Sequence, residues 1–307
     1  MMTDSTNKPL AAAGVMLSAM LIIGLIDNYV AGIAEEIGLW QFFVLRTLIT
    51  LPLVAAMSLL GFGRLWPRSW LRVGARSVFS AVAMLCYFGA LGFMPIAQAL
   101  AGLFTSPIFI LLITWGLMGH SIGPWRVGAV ALGFAGILLV LQPESGAFSV
   151  WTLLPVAGGL LYAISIIATR SWCAGESTLS LLMGAMGFQG LFSVVAVAGL
   201  VLFDIPETGF LTMRWVWPVV EVWPLIWVQG VGSVAGVWCI IKAYQLAEAS
   251  FVSVFEYSIM VFGPFFAWWL FGQPLGGWQA VGVALIALAG VIIALRSGVE
   301  QRRAGIA

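Results

Sequence analysis

The chain has 307 residues, of which 62% are hydrophobic and 8% charged, and its net charge is +1. A soluble domain carries about 25% charged residues and must turn a polar exterior to water, so this composition excludes a soluble globular fold. The near-neutral charge gives no footprint for nucleic acid.

The polar start up to Pro9 leads into an apolar run too long for a signal-peptide core, with no small-residue cleavage site after it. It reads as a retained first span. A membrane helix needs roughly 20 mostly apolar residues. Apolar runs of that kind lie near 10–32, 39–61, 73–93, 96–118, 125–141, 151–170, 179–203, 223–246, 249–271 and 277–295. The chain is therefore expected to be an all-α integral membrane protein of ten transmembrane helices.

Charged groups inside such runs are costly and face a cavity or a partner. Asp27 and Arg46 flank a hairpin turn near residue 36 at nine and ten residues, so a helical rise of about 1.5 Å per residue puts them at similar depth. A structural Asp27–Arg46 ion pair and a substrate role are both open. Lys242 and Glu256 flank the turn near residue 248 in the same way, and are read as substrate or coupling groups, with a mutual salt bridge as the alternative. Tyr87, Gln98, Tyr162, Gln189, Trp238 and Tyr257 lie inside spans and complete the candidate substrate site. Pro107 and Pro264 are expected to kink the fourth and ninth spans. Gly232-Ser-Val-Ala-Gly236, and Gly184, Gly187 and Gly190, read as close helix contacts within a monomer, a weak homodimer being the alternative.

Basic residues set the orientation. With the N-terminus inside, Lys8, Arg64, Arg68, Arg72, Arg126, Arg170, Arg296, Arg302 and Arg303 are cytoplasmic, and only Arg214 is outside. Glu144 falls among the outside acids. Both termini are then cytoplasmic, which is the arrangement expected of a multi-pass protein of the cell inner membrane. The longest loop, near 204–222, lies outside, and Trp215, Trp217, Trp223 and Trp227 around it read as interfacial anchors.

Residues 239–285 laid over 86–132, an offset of 153 without a gap, match at eleven of 47 positions. Two tryptophan pairs (Trp115/Trp268, Trp125/Trp278) and two glycine pairs (Gly119/Gly272, Gly123/Gly276) are in register, which shared apolar composition does not produce. The chain thus reads as one unit of five spans taken twice, residues 1–148 and 149–307. Five is odd, so the second unit enters the membrane from the opposite side. Inverted five-helix repeats place a substrate site near the midplane and supply alternating access.

Gly24-Leu-Ile-Asp-Asn28-Tyr-Val-Ala31, Phe43-Val-Leu-Arg46, Ser106-Pro107-Ile-Phe, Leu117-Met-Gly-His120 and Gly133-Phe-Ala-Gly136 recur in order in the first half. Phe255-Glu256-Tyr257, Leu270-Phe-Gly-Gln273-Pro274 and Trp278-Gln279 do so in the second. In these segments the chain resembles the ten-span EamA-type group of the drug/metabolite transporter superfamily. Phe255-Glu256-Tyr257 and Leu141-Gln-Pro143 resemble the branch holding riboflavin and S-adenosylmethionine carriers. His120 and Gln273 stand where the family pattern has glutamate, which removes any role for an acid there.

The resemblance implies a secondary transporter of a small polar organic metabolite, whether an amino acid or derivative, a flavin or a nucleoside-like compound. Its partners would be that small molecule, membrane lipid and protons as coupling ion, with Glu256 or Asp27 as the proton site. A multidrug or cation exporter of the same fold is the alternative. An intramembrane enzyme would need a nucleophile and base or a metal cluster. His120 is the only histidine, and Cys86, Cys173 and Cys239 have no metal spacing, so no catalytic residue, metal or cofactor is expected.

Overall fold

The computed structural model describes residues 8–90, 94, 96–119, 122–142, 151, 153–274 and 276–303, without the side chains of residues 31, 96–98 and 297–303. The Gln98 side chain, His120, Pro143, Glu144, the boundary at 148/149 and the side chains of Arg302 and Arg303 lie outside what is described. Every regular element among the described residues is a helix: α1 (Pro9–Asp27), α2 (Val30–Glu36), α3 (Leu39–Leu59), α4 (Trp70–Ala90), α5 (Ile96–Leu103), α6 (Ser106–Gly116), α7 (Pro124–Leu141), α8 (Leu153–Ser171), α9 (Thr178–Leu202), α10 (Trp223–Leu246), α11 (Ala249–Glu256), α12 (Ile259–Phe271) and α13 (Gly277–Arg303). They form ten segments long and apolar enough to cross a membrane. In hydrocarbon every backbone N–H and C=O must find its partner inside the segment, and the helix does this.

Three of the ten segments are broken. The first is interrupted at Asn28–Tyr29, the fourth at Phe104–Thr105 and the ninth at Tyr257–Ser258. The breaks in the fourth and ninth segments do not fall on Pro107 or Pro264. Pro107 opens α6 near its first position, where the missing N–H costs nothing, and Pro264 stays inside α12. The breaks are held by side chains instead. Asn28 Nδ2 donates to Gly24 O (2.7 Å) and to Gly263 O (3.2 Å), and Thr105 Oγ1 donates to Gly102 O (2.6 Å). Ser258 Oγ donates to Phe255 O (2.6 Å).

Packing follows a regular scheme. α1 lies against α10 and α12, and α8 lies against α4 and α5. α3 packs on α9, and α7 on α13. Small residues allow the close approaches. A Cβ on Gly136 would stand 2.7 Å from Gly282 O, and Gly232 and Gly236 of α10 face Ile26 and Ile23 of α1. The small-residue pattern on α10 is therefore used within the chain. We expect Gly136→Ala to lower the thermal midpoint in detergent, because overpacking against backbone costs about 1–3 kcal/mol. Gly128→Ala, on the same helix with nothing within 4 Å of its added Cβ, should hold or raise the midpoint.

The loops gather into two groups. Lys8 N donates to Leu246 O (2.9 Å). Gln245 binds Thr178 Oγ1 (2.6 Å) and Glu176 O (3.0 Å), and the Glu176 carboxylate accepts from Arg68 N and Ser69 N. Arg126 pairs with Glu248 at 2.6 Å and also donates to Ser250 Oγ at 2.9 Å. The second group joins the α2–α3 turn to residues 204–222. Leu39 N and Trp40 Nε1 donate to Phe210 O and Leu211 O, while Gln41 exchanges two hydrogen bonds with Val216. Each group contains only segments that the basic-residue count assigns to one side.

Burial alone would raise the Glu248 carboxyl. The Arg126 charge, hydrogen bonds from Ser250 and Arg126, and the Arg170 charge outweigh it and hold the group below the usual glutamate range. A lowered acid contributes stability above its unfolded value, about 4.3, and loses it as pH falls through the lower folded value. The stability advantage of wild type over Arg126→Gln should therefore be present at pH 7 and vanish below about pH 4. Urea titrations in detergent at both pH values measure it.

Candidate functional site

The inner helices enclose a cavity of about 210 Å³. Its lining comes from α1, α3, α4, α5, α6, α8, α9, α10, α11 and α12, while α7 and α13 supply none of it. Most of the wall is apolar, with Met20, Met84, Phe88, Phe104, Met186 and Ile240 among its members. Into this wall project four ionisable side chains: Asp27, Arg46, Arg76 and Glu256.

Both acids occupy the last residue of a helix that then breaks, Asp27 in α1 and Glu256 in α11. Carboxylates are disfavoured at a helix C-terminus, where the dipole is negative, so the fold does not place them there for its own stability. Glu256 is 3% exposed and accepts a hydrogen bond from Tyr162 Oη at 3.0 Å. The Tyr244 hydroxyl lies alongside the same carboxylate, buried and outside hydrogen-bond geometry. Asp27 is surrounded by protein yet its side chain is open to the cavity, within the field of Arg46 and Tyr87.

The two arginines are held by neutral groups. Arg46 donates to Gln189 Oε1 and lies over the Phe43 ring at 4.6 Å and the Phe42 ring at 5.3 Å. Its Nε is buried and meets no acceptor among the described residues. Arg76, 2% exposed, donates Nε to Thr169 Oγ1 at 2.9 Å and reaches Leu181 O at 3.4 Å. Gln229 donates to Ile26 O at 2.6 Å beside Asp27. Among the described residues none of the four charges forms an ion pair with another. Leaving buried charges uncompensated costs several kcal/mol, so the arrangement is one that a ligand could complete.

Of the candidate residues read from the sequence, Asp27, Arg46, Tyr87, Tyr162, Gln189 and Glu256 meet at this cavity. Trp238, Lys242 and Tyr257 do not. On α10 the cavity is lined by Gln229, Ser233, Val237, Ile240 and Ile241. At about 100° per residue, Trp238 lies about 180° and Lys242 about 220° around the helix from Gln229, on the opposite face. Trp238 packs among Val54, Leu182 and Met186 instead. Lys242 forms no ion pair with Glu256, for the same reason of face. Tyr257 is fully buried, donates to Phe104 O at 3.3 Å and packs with Ile137 and Ile286. The sequence reading overlooked Arg76 and Gln229. For Gln229 the signal is present, a polar side chain six residues inside an apolar span.

Residues 10–142 match the model of the EamA-like transporter family. That stretch of the chain is similar to the family. Relatives across the chain carry transporter names. A riboflavin transporter of Rhizobium johnstonii is 28% identical over 268 residues, 86% of this chain and 82% of its own length. A riboflavin transporter of Vibrio cholerae is 24% identical over 305 residues, 97% of each chain. A pseudopaline exporter of Pseudomonas aeruginosa is 27% identical over 223 residues, 71% of this chain and 70% of its own. A solved crystal structure superposes with a TM-score of 0.76 at 19% identity, over 93% of this chain and 97% of that one, a likeness of fold. With ten apolar segments the chain is a multi-pass membrane protein, and it is similar to transporters of the drug/metabolite type.

Proposed function

We propose that this chain is a secondary transporter that carries a small polar organic metabolite across the inner membrane by alternating access, with a flavin as the substrate class. The observation that carries the reading is the central cavity, whose Asp27, Arg46, Arg76 and Glu256 form no ion pair with one another among the described residues. A flavin is favoured over the other metabolite classes because two relatives spanning most of the chain are named as riboflavin transporters.

Alternating access rests on two inverted five-span halves, near residues 1–148 and 149–307. Several contacts support this. Tyr257 donates to Phe104, its partner at the offset of 153. Arg46 donates to Gln189 at an offset of 143. Arg76–Thr169 and Gln229–Ile26 exchange under the same two offsets, 153 for the donors and 143 for the acceptors. The ten-residue difference matches the loops between the second and third helices of each half, 60–69 and 203–222. Both termini are placed in the cytoplasm by the basic-residue count, and protons are the proposed coupling ion, at Glu256 or Asp27.

Purified protein in liposomes should take up radiolabelled riboflavin saturably and show counterflow when preloaded with unlabelled riboflavin. Flux that rises linearly without saturation would instead mark a channel, and absence of flux would overturn the flavin assignment.

A further inference from the structure

The polar groups of the cavity fall into two separate sets. Asp27, Arg46 and Gln189 form one, with Gln229 at its edge. Arg76, Tyr162 and Glu256 form the other. Helix positions separate them along the bundle. Lys8 binds Leu246 at the end of the bundle where the α10–α11 turn lies, and Asp27 stands 18 residues beyond Pro9 on α1, about 27 Å further on at 1.5 Å per residue. Glu256 stands seven residues from the start of α11 and Arg76 six from the start of α4, about 10 Å from that same end. The two sets are thus roughly 15 Å apart, with apolar wall between them.

Each set holds a guanidinium and a carboxylate, and in the second the group near both is Tyr162, hydrogen-bonded to Glu256. Such a pair is matched by a ligand group that itself carries acceptor and donor. Among the described residues neither set has an ion pair to break, and the Arg46 Nε, nine-tenths buried, meets no acceptor. The neighbours differ. Beside the first set are the Tyr87 and Phe88 rings, 4.8 Å apart and edge to face, which suit a flat ring whose edge reaches Arg46 and Asp27. Beside the second is the Tyr162 hydroxyl, which suits an aliphatic hydroxylated chain.

We propose, building on the flavin reading above, that the cavity recognises its substrate at two stations. Asp27 and Arg46 read the carbonyl and N–H groups on the imide edge of the ring. Arg76 and Glu256 read the polyol tail at the other end. Arg76, whose hydrogen bonds among the described residues go to Thr169 and Leu181, is then a specificity-determining residue for the tail.

Riboflavin and lumichrome, the same type of ring without the tail, test this by ligand fluorescence titration of the purified protein. Wild type should bind riboflavin more tightly than lumichrome. Asp27→Asn and Arg46→Gln should weaken both ligands by about 10- to 100-fold, the range for a charged hydrogen bond. Arg76→Gln and Glu256→Gln should weaken riboflavin by a similar factor and leave lumichrome unchanged. Arg76→Lys and Glu256→Asp serve where a glutamine variant is not monodisperse. Equal loss of both ligands in the Arg76 and Glu256 variants, or no loss of either, overturns the two-station assignment while leaving the flavin reading intact. Failure of wild type to bind riboflavin overturns the flavin reading itself, and this assignment with it.

Discussion

Glu256→Gln should raise the thermal stability of the protein by on the order of 1 kcal/mol while reducing transport at least tenfold. Glu256 is 3% exposed and ends a helix whose dipole disfavours a negative charge. Its one hydrogen bond comes from a phenol, Tyr162 at 3.0 Å, and Lys242 faces away on α10. Glutamine keeps the acceptor for Tyr162 and the side-chain volume, so neither a cavity nor an orphaned hydroxyl offsets the relief. At the sequence offset of 153 Glu256 falls on Leu103, likewise the last residue of its helix, so a helix can end in this way without an acid. On the proposed function, a group that costs stability and has no ion-pair partner among the described residues serves the ligand that the cavity holds. Thermal midpoints in detergent beside liposome uptake measure both effects together. A variant that loses stability and keeps transport would make Glu256 a structural residue.

The ten spans were legible because each integrates some 20 residues of hydropathy, a signal that single polar residues barely disturb. The central acids were legible for a related reason: Asp27 and Glu256 stand out against apolar neighbours. Rotation about the helix axis was harder. Equal distance from a turn places Lys242 level with Glu256, but face depends on 100° steps, and Lys242 falls on the wrong side of α10. Trp238, four residues earlier, shares that error. Residue type also misled at Tyr257, whose ring is taken up in contacts with Phe104 and Ile137 at a helix break that no proline announces. Arg76 lies soon after Arg64, Arg68 and Arg72 in the chain, and nothing local distinguishes a buried arginine from those exposed ones. What distinguishes it is tertiary: Thr169 and Leu181 meet it from α8 and α9. Its position opposite Gln229 under the repeat could have drawn attention to it, since both halves put a planar N–H donor at that place.

Arg46→Lys should weaken riboflavin binding about 50-fold or more, nearly as much as Arg46→Gln, although it preserves the charge. The guanidinium is a flat fork pressed over Phe43 at 4.6 Å and Phe42 at 5.3 Å while one amino group donates to Gln189. That clamp turns Nε into a fixed donor with no acceptor among the described residues. Lysine has a single nitrogen at the end of a flexible stem. If it binds Gln189 it has nothing left on a rigid frame for the ligand, and if it turns to the cavity it abandons Gln189 and the rings. Loss of the stacked cation should also destabilise the unliganded protein by about 1–2 kcal/mol. Geometry and charge thus make opposite forecasts for this one substitution. Full retention of affinity in Arg46→Lys would mean that only a positive potential is read at this station, whereas loss equal to that of glutamine assigns recognition to the orientation of the fork.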